Sequence, residues 1–534
     1  MSGSAKKQTF LHGAALLAIA TAVVKVIGAL YKIPLKMVIG DAGYGYFMTA
    51  YNIYSVLLMI STAGLPVAMS RMVSQAASLG HYNQVRKVYR TARGIFLGLG
   101  VVSSLLMVVF CRQLAAFQRQ PDAWAAIAIL GPCALLMGII STYRGFFQGQ
   151  GNMRPTSVSQ VLEAVFKLLV GLAAAVVIMR MTKNVAYAAG GAILGVTVSC
   201  LISAGYLKSR QAAAYRELPR SGDTALGWKA TAGELLKIAV PITVGSAGLQ
   251  LLTVLETKLY MGQLLTANGL SQGTADTLKG IYDMSQTIFN MPCAFIIPIT
   301  VSIIPAVTEH LTLKRDQQVR ETEESAARIT GLIALPCAVG LGILARPVMS
   351  LLGDYTGEKL QLASQLMMIL SAGIFLYSVV QYTNALLQAH GYAHVPVVNM
   401  LLAGVAKLGA VYILSGNPVI GIRGAAIGAT ACYFCISVLN LVSIARRVPQ
   451  KPRLLRNLVR PLVPAALMGA AVWGVYQLML HVMGDGGSRL ILCGVPIAAG
   501  VAVYGVLVVL CKAITREDCR LLPKGDKIAR LLRL

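Results

Sequence analysis

The feature that most restricts this chain is a succession of about fourteen apolar runs, each long enough as a helix to cross a hydrocarbon layer of about 30 Å. They fall near 12–39, 46–78, 88–111, 123–148, 156–179, 185–208, 233–262, 280–311, 325–352, 358–389, 394–415, 419–447, 458–483 and 488–513. In lipid the backbone must satisfy its own hydrogen bonds, so runs of this length predict helices. Composition agrees, with 56% of the 534 residues hydrophobic and 13% charged and a mean hydropathy of +0.68. Those values exclude a soluble protein of this length. The expected fold is an all-α polytopic membrane protein.

A net charge of +27 could point to nucleic acid, but the cations gather in short loops rather than on one basic face. Arg86, Lys87 and Arg90 share one side with Lys208, Arg210, Arg216 and Arg220, with Lys314, Arg315 and Arg320, and with Arg446 to Arg456. This is the positive-inside pattern; with an even number of spans both termini are cytoplasmic. No nucleic-acid partner is expected. Lys6 and Lys7 run directly into the first apolar stretch, so no cleavable leader is expected. The ten cysteines and six histidines show no ligand spacing, and Cys432 and Cys435 lie inside one predicted span. Neither a metal, a cofactor nor a disulfide framework is expected.

The chain repeats itself. Phe147-Gln148-Gly149-Gln150-Gly151, followed by Pro155 and Lys167, returns about 240 residues later as Leu387-Gln388-Ala389-His390-Gly391, followed by Pro396 and Lys407. Gly191 to Thr197 likewise returns as Gly424 to Thr430, and both carry small residues four apart that let helices approach closely. Two six-helix repeats in the same orientation follow, residues 1–222 and 223–447, with a cavity between them. Residues 448–534 add two further helices and a basic cytoplasmic tail. The polar stretch Thr266 to Leu278 has only the short turn Gly40 to Gly45 as its counterpart, and predicts an extracytoplasmic flap.

Charges inside the apolar runs carry the functional reading. Lys25 lies roughly 18 Å of helix from either end of its run, where a lysine costs about 3 kcal/mol. Lys32 is two turns further along the same face, ahead of Pro34. Arg71, Arg144, Glu163, Lys167, Glu256, Lys258, Asp283, Glu309, Arg328 and Lys407 also sit at or near membrane depth. Glu163 and Lys167, at i and i+4, are spaced to neutralise one another; Glu256 and Lys258, at i and i+2, must look in different directions. Arg71 and Arg328, near span ends, fit an interfacial role. Cations outnumber acids, and a cavity so lined draws an anionic, phosphorylated substrate. Lys25, Lys32, Arg144, Glu163, Lys167, Glu256 and Lys407 form the candidate substrate-binding set. Pro66, Pro292, Pro298 and Pro305 supply break points.

Several motifs carry a family resemblance: Lys25-Val26-Ile27-Gly28 through Tyr31-Lys32-Ile33-Pro34, Gly40-Asp41-Ala42-Gly43, Tyr51-Asn52-Ile53-Tyr54, Ser61 to Arg71, Tyr143 to Gly149 with Gly151-Asn152-Met153, and Gln160-Val161-Leu162-Glu163. Together they resemble the polysaccharide-transporter branch of the multidrug/oligosaccharidyl-lipid/polysaccharide exporter superfamily. The likeness is greatest to stage V sporulation protein B-like and lipid II flippase members of Gram-positive bacteria. The resemblance implies a fourteen-helix, non-enzymatic protein of the bacterial cytoplasmic membrane. It would move an undecaprenyl-diphosphate-linked sugar, lipid II, between leaflets by alternating access, for peptidoglycan synthesis, cell shape or sporulation. It also implies that Lys25 contributes to the diphosphate site, aided by Lys32 and Arg144, and that the last two helices form a groove for the lipid tail. Where other lipid II flippases carry further cations in helix 2, this chain has Leu57, Leu58 and Met59. That leaves a Na+ or H+ gradient and the membrane potential as alternative drivers. A cation-coupled multidrug exporter, or an exporter of another polysaccharide, is the alternative; the drug exporters' twelve helices and acidic cavity fit the surplus lysines less well. An enzyme acting on lipid-linked sugars would need partnered carboxylates, and Asp41, Asp276, Asp354, Glu358 and Asp485 lack partner spacing.

Overall fold

The computed structural model describes residues 3–62, 64–449, 452–484, 487–511 and 513–514. Among them every regular element is helical. Two compact units divide the chain, residues 1–280 and 281–534. The first holds α1 (Gly3–Thr62), α2 (Leu65–Ser78), α3 (Tyr82–Val109), α4 (Cys111–Phe117), α5 (Trp124–Gly149), α6 (Arg154–Thr182), α7 (Val185–Arg216), α8 (Trp228–Thr266) and the first turns of α9 (Gln272–Thr312). The second continues with α10 (Asp316–Ile343), α11 (Ala345–Leu352), α12 (Gly357–Ala389), α13 (His394–Gly416), α14 (Arg423–Arg447), α15 (Leu454–Val459), α16 (Leu462–Met483) and α17 (Arg489–Leu510).

Twelve helical stretches among the described residues are long and apolar enough to span a membrane, against about fourteen expected. Two places account for the difference. The runs near 12–39 and 46–78 are counted as one stretch, Leu30–Ser78, and the run near 280–311 contains side chains outside the described set. The turn expected at Gly40 to Gly45 is instead helix, broken only at Gly40 (φ 67°, ψ −175°), a conformation open to glycine. Pro34 sits within α1 without breaking it, and Pro66 opens α2 rather than kinking a span. Pro292 lies inside α9; the side chains of Pro298 and Pro305 fall outside the described residues.

In the first unit α7 lies directly on α6. A Cβ on Gly195 would stand 2.2 Å from the Gly171 Cα, so the helices approach to backbone contact. The repeated glycine does the same work in the second unit, where a Cβ on Gly428 would stand 2.5 Å from Val411 Cγ2 as α14 packs on α13. Small residues four apart thus set helix spacing in both units. In the second unit α16 and α17 pair with each other and rest on α10 and α11. There Gly331 faces the Leu458 carbonyl, leaving no room for a side chain, and Tyr504 donates to the Leu332 carbonyl at 2.8 Å.

Candidate functional site

Helices α5 and α6 meet α1 in a polar column within the first unit. Arg144, on α5, reaches across to α6, where its Nη2 lies 3.1 Å from Glu163 Oε2 and its Nε donates to Ser159 Oγ at 3.0 Å. The pair stays partly accessible, with side chains 13% and 27% exposed. Glu163 therefore pairs with a neighbouring helix, not with Lys167 one turn along its own. The i, i+4 pairing read from the sequence does not form: Arg144 offers two directed hydrogen bonds where a lysine offers a point charge.

Lys167, released from that pairing, points to the aromatic face of α1. Its ammonium lies 5.9 Å from the centre of the Tyr31 ring and 6.0 Å from that of Tyr51. Among the described residues no carboxylate lies within ion-pair distance of it. Cation–π contacts of this kind are worth about 0.5–1 kcal/mol, well below the roughly 3 kcal/mol that a lysine costs at the centre of a span. Lys167 sits near the middle of α6, so its charge is only partly compensated.

The rings that receive it are fixed. Tyr31 is buried and donates to the Ala192 carbonyl at 3.1 Å, through the gap left by Gly171, whose Cβ would stand 2.7 Å from the Tyr31 hydroxyl. From Tyr31 a ladder of rings follows α1, with Phe47 at 6.0 Å, then Tyr51 at 4.9 Å and Tyr54 at 6.2 Å between successive centroids. Tyr54 ends beside Cys133, whose sulfur is 3.1 Å from that of Cys200. Both cysteines are free.

The other expected site residues are dispersed. Lys25 lies in α1, but its side chain falls outside the described residues. Lys32 is half-buried. Glu256 is buried on α8, while Lys258 turns its ammonium to the Phe117 ring, 3.9 Å from the centroid. Lys407 is half-buried on α13 of the second unit. Arg328, expected at an interface, is instead buried on α10 and donates to Asn457 Oδ1 at 2.9 Å.

Two charged clusters whose partners the sequence reading did not supply are built into this unit. Lys36 and Asp41, both 7% exposed, pair at 3.2 Å on either side of the Gly40 kink. The expected flap at Thr266 to Leu278 is absent: α8 ends at Thr266 and α9 begins at Gln272. There Asp276 is buried and accepts from the Tyr46 hydroxyl at 2.9 Å, Gln120 Nε2 at 3.0 Å and Gln272 Nε2 at 2.9 Å. Buried Lys279 donates to the Gly45 carbonyl at 3.2 Å. Gly280 permits this crossing, since a Cβ there would lie 1.9 Å from the Asp41 carbonyl oxygen. Gln272, Asp276 and Lys279 recur at i, i+4 and i+7, a helical face that the sequence did display.

Comparison with known proteins places this geometry. A family model described as polysaccharide biosynthesis protein matches residues 10–310. Stage V sporulation protein B of Bacillus subtilis is 24% identical over 97% of this chain and 98% of its own length. The lipid II flippase MurJ of the same organism is 26% identical over 86% of this chain and 87% of its own. A solved structure of lipid II flippase MurJ in an inward closed conformation superposes with a TM-score of 0.63, at 13% identity, over 93% of this chain and 98% of that one. These likenesses and the apolar helices make the chain a multi-pass membrane protein of the exporter superfamily that joins multidrug, oligosaccharidyl-lipid and polysaccharide transporters. Within it, the chain belongs to the polysaccharide biosynthesis protein family.

Proposed function

We propose that this protein is a flippase for an undecaprenyl-diphosphate-linked cell-wall precursor, lipid II, in the bacterial cytoplasmic membrane, with both termini cytoplasmic. The observation that carries the reading is Lys167: a cation at mid-span whose described contacts are two aromatic rings, beside an Arg144–Glu163 pair still open to solvent. An ammonium so under-compensated gains most from an anion brought to it, and a diphosphate supplies two phosphoryl groups in reach of a point charge and a guanidinium. Lys25 and Lys32 on α1 extend the cationic set, and Glu163 holds Arg144 in place until a phosphate competes for it. Glu256 and Lys407 belong to the same proposed set, the latter as the repeat's counterpart of Lys167. Two six-helix repeats, residues 1–222 and 223–447, alternate the access to this site, while residues 448–534 receive the lipid tail; a Na+ or H+ gradient or the membrane potential drives the cycle.

The test is reconstitution of the full chain into liposomes with labelled lipid II, scored by its accessibility at the outer leaflet. Flipping of lipid II, and its loss in Lys25→Ala and Lys167→Met with normal expression, supports the reading. Equal movement of a neutral lipid, or undiminished flipping in both variants, overturns it.

A further inference from the structure

We propose that a groove between α3, α5 and α7 is a binding site for an anionic phospholipid, separate from the polar column on α1 and α6. The groove encloses about 380 Å³, and its chemistry changes with depth. Helix α3 runs antiparallel to α5 and α7, which brings the beginning of α3 together with the ends of the other two. Arg93 and Lys208 stand at that rim, both exposed. Beneath them, away from the rim on each helix, the walls are Leu97, Leu136 and Leu201. From Lys208 back to Leu201 is seven residues, and from Tyr143 to Leu136 the same, so the apolar part is about 10 Å deep at 1.5 Å per residue.

Two cations over an apolar trough match one ligand class: a phosphodiester head carrying net negative charge, joined to acyl chains. A soluble phosphate would use the rim and leave the trough empty; an uncharged lipid would use the trough and leave the rim unpaired. Arg86, Lys87 and Arg90 precede Arg93 on α3, and their positive potential adds to the attraction. Neither Arg93 nor Lys208 pairs with a carboxylate among the described residues. The trough can also be filled by mutation: a Cβ on Gly205, which lines it, would meet nothing within 4 Å.

The test uses the purified full chain in neutral detergent, titrated with phosphatidylglycerol, phosphatidylcholine or glycerol 3-phosphate and followed by thermal unfolding. Phosphatidylglycerol should raise Tm by about 3–5 °C and the other two by less than about 1 °C. Arg93→Gln with Lys208→Gln should abolish the rise, as should Gly205→Phe, which keeps both charges and fills the trough. Arg210→Gln with Arg216→Gln removes equal charge outside the groove and should keep it. An equal rise with glycerol 3-phosphate, an equal rise with phosphatidylcholine, or an unchanged response in Gly205→Phe would each overturn the proposal. Should the double variant fail to fold, the Gly205→Phe comparison decides alone.

Discussion

The Glu163 carboxylate lies 3.1 Å from the Arg144 guanidinium on the neighbouring helix, while Lys167, one turn away on its own helix, turns to the rings of Tyr31 and Tyr51. The sharing of three charges between two helices decides which of them a substrate can use.

Removing one member of the Arg144–Glu163 pair should cost more than removing both. The pair is neither sealed nor on the surface, so its loss falls between the limits for exposed and buried bridges, about 1–3 kcal/mol. Glu163→Gln should lower Tm in detergent, and Arg144→Gln with Glu163→Gln should recover part of the loss; simple additivity in this double-mutant cycle would show the pair to be uncoupled.

Lys167→Arg should keep transport and Lys167→Met should remove it, since the proposed role needs only a cation at that height. Tm should change little in Lys167→Arg and rise in Lys167→Met, because the roughly 3 kcal/mol that a cation costs at mid-span exceeds the about 0.5–1 kcal/mol that the rings return. Lipid II accessibility in proteoliposomes is the readout.

Gly280→Ala should damage the first unit out of proportion to one methyl group. The new Cβ would fall 1.9 Å from the Asp41 carbonyl oxygen, a backbone atom that cannot swing aside. Overpacking of this kind costs about 1–3 kcal/mol or more, and size-exclusion profiles should show aggregated protein. Gly262→Ala on α8, whose Cβ would meet nothing within 4 Å, is the matched control and should remain monodisperse.

Asp223 should make the loop after α7 sensitive to acid. Its carboxylate accepts from the backbone N–H of Asn83 at 3.0 Å and of Gln84 at 2.9 Å, fastening the loop over the start of α3. Desolvation pulls its pKa upward, but the Ser221 hydroxyl and those amides outweigh it and hold the group below the usual carboxylate value. A depressed folded pKa means that the stabilisation is present above about pH 4 and is lost as pH falls through the folded value. Limited proteolysis should find residues 217–227 protected at pH 7 and cut once acid protonates Asp223; Asp223→Asn should be cut under both conditions.

How much of this was visible in the sequence depends on the range of each interaction. Gly191 and Gly195 announced a close helix contact because small residues at fixed spacing are a local pattern, and α7 on α6 meets it. The partner of Glu163 was not legible, because Arg144 is 19 residues away and spacing on one helix reveals only which groups share a face. Lys36 escaped for a different reason: it follows Lys32 by one turn, and nothing local shows that the chain kinks at Gly40 to return Asp41 to it. The polar stretch after Thr266 reads as a flap because its composition resembles a loop, although Gln272, Asp276 and Lys279 carry a helical period. Its burial depends on α1, more than 200 residues earlier.

That distance also sets an order of events during synthesis. The contacts of Asp276, Lys279 and Gly280 with Tyr46, Gly45 and Asp41 cannot form until residue 280 has left the ribosome, about 240 residues after Asp41. At about 5–20 residues per second the early helices wait roughly 10–50 s for their closing segment. A nascent chain halted anywhere before that segment is a bundle without its latch, and membrane quality-control proteases should recognise it as unfinished.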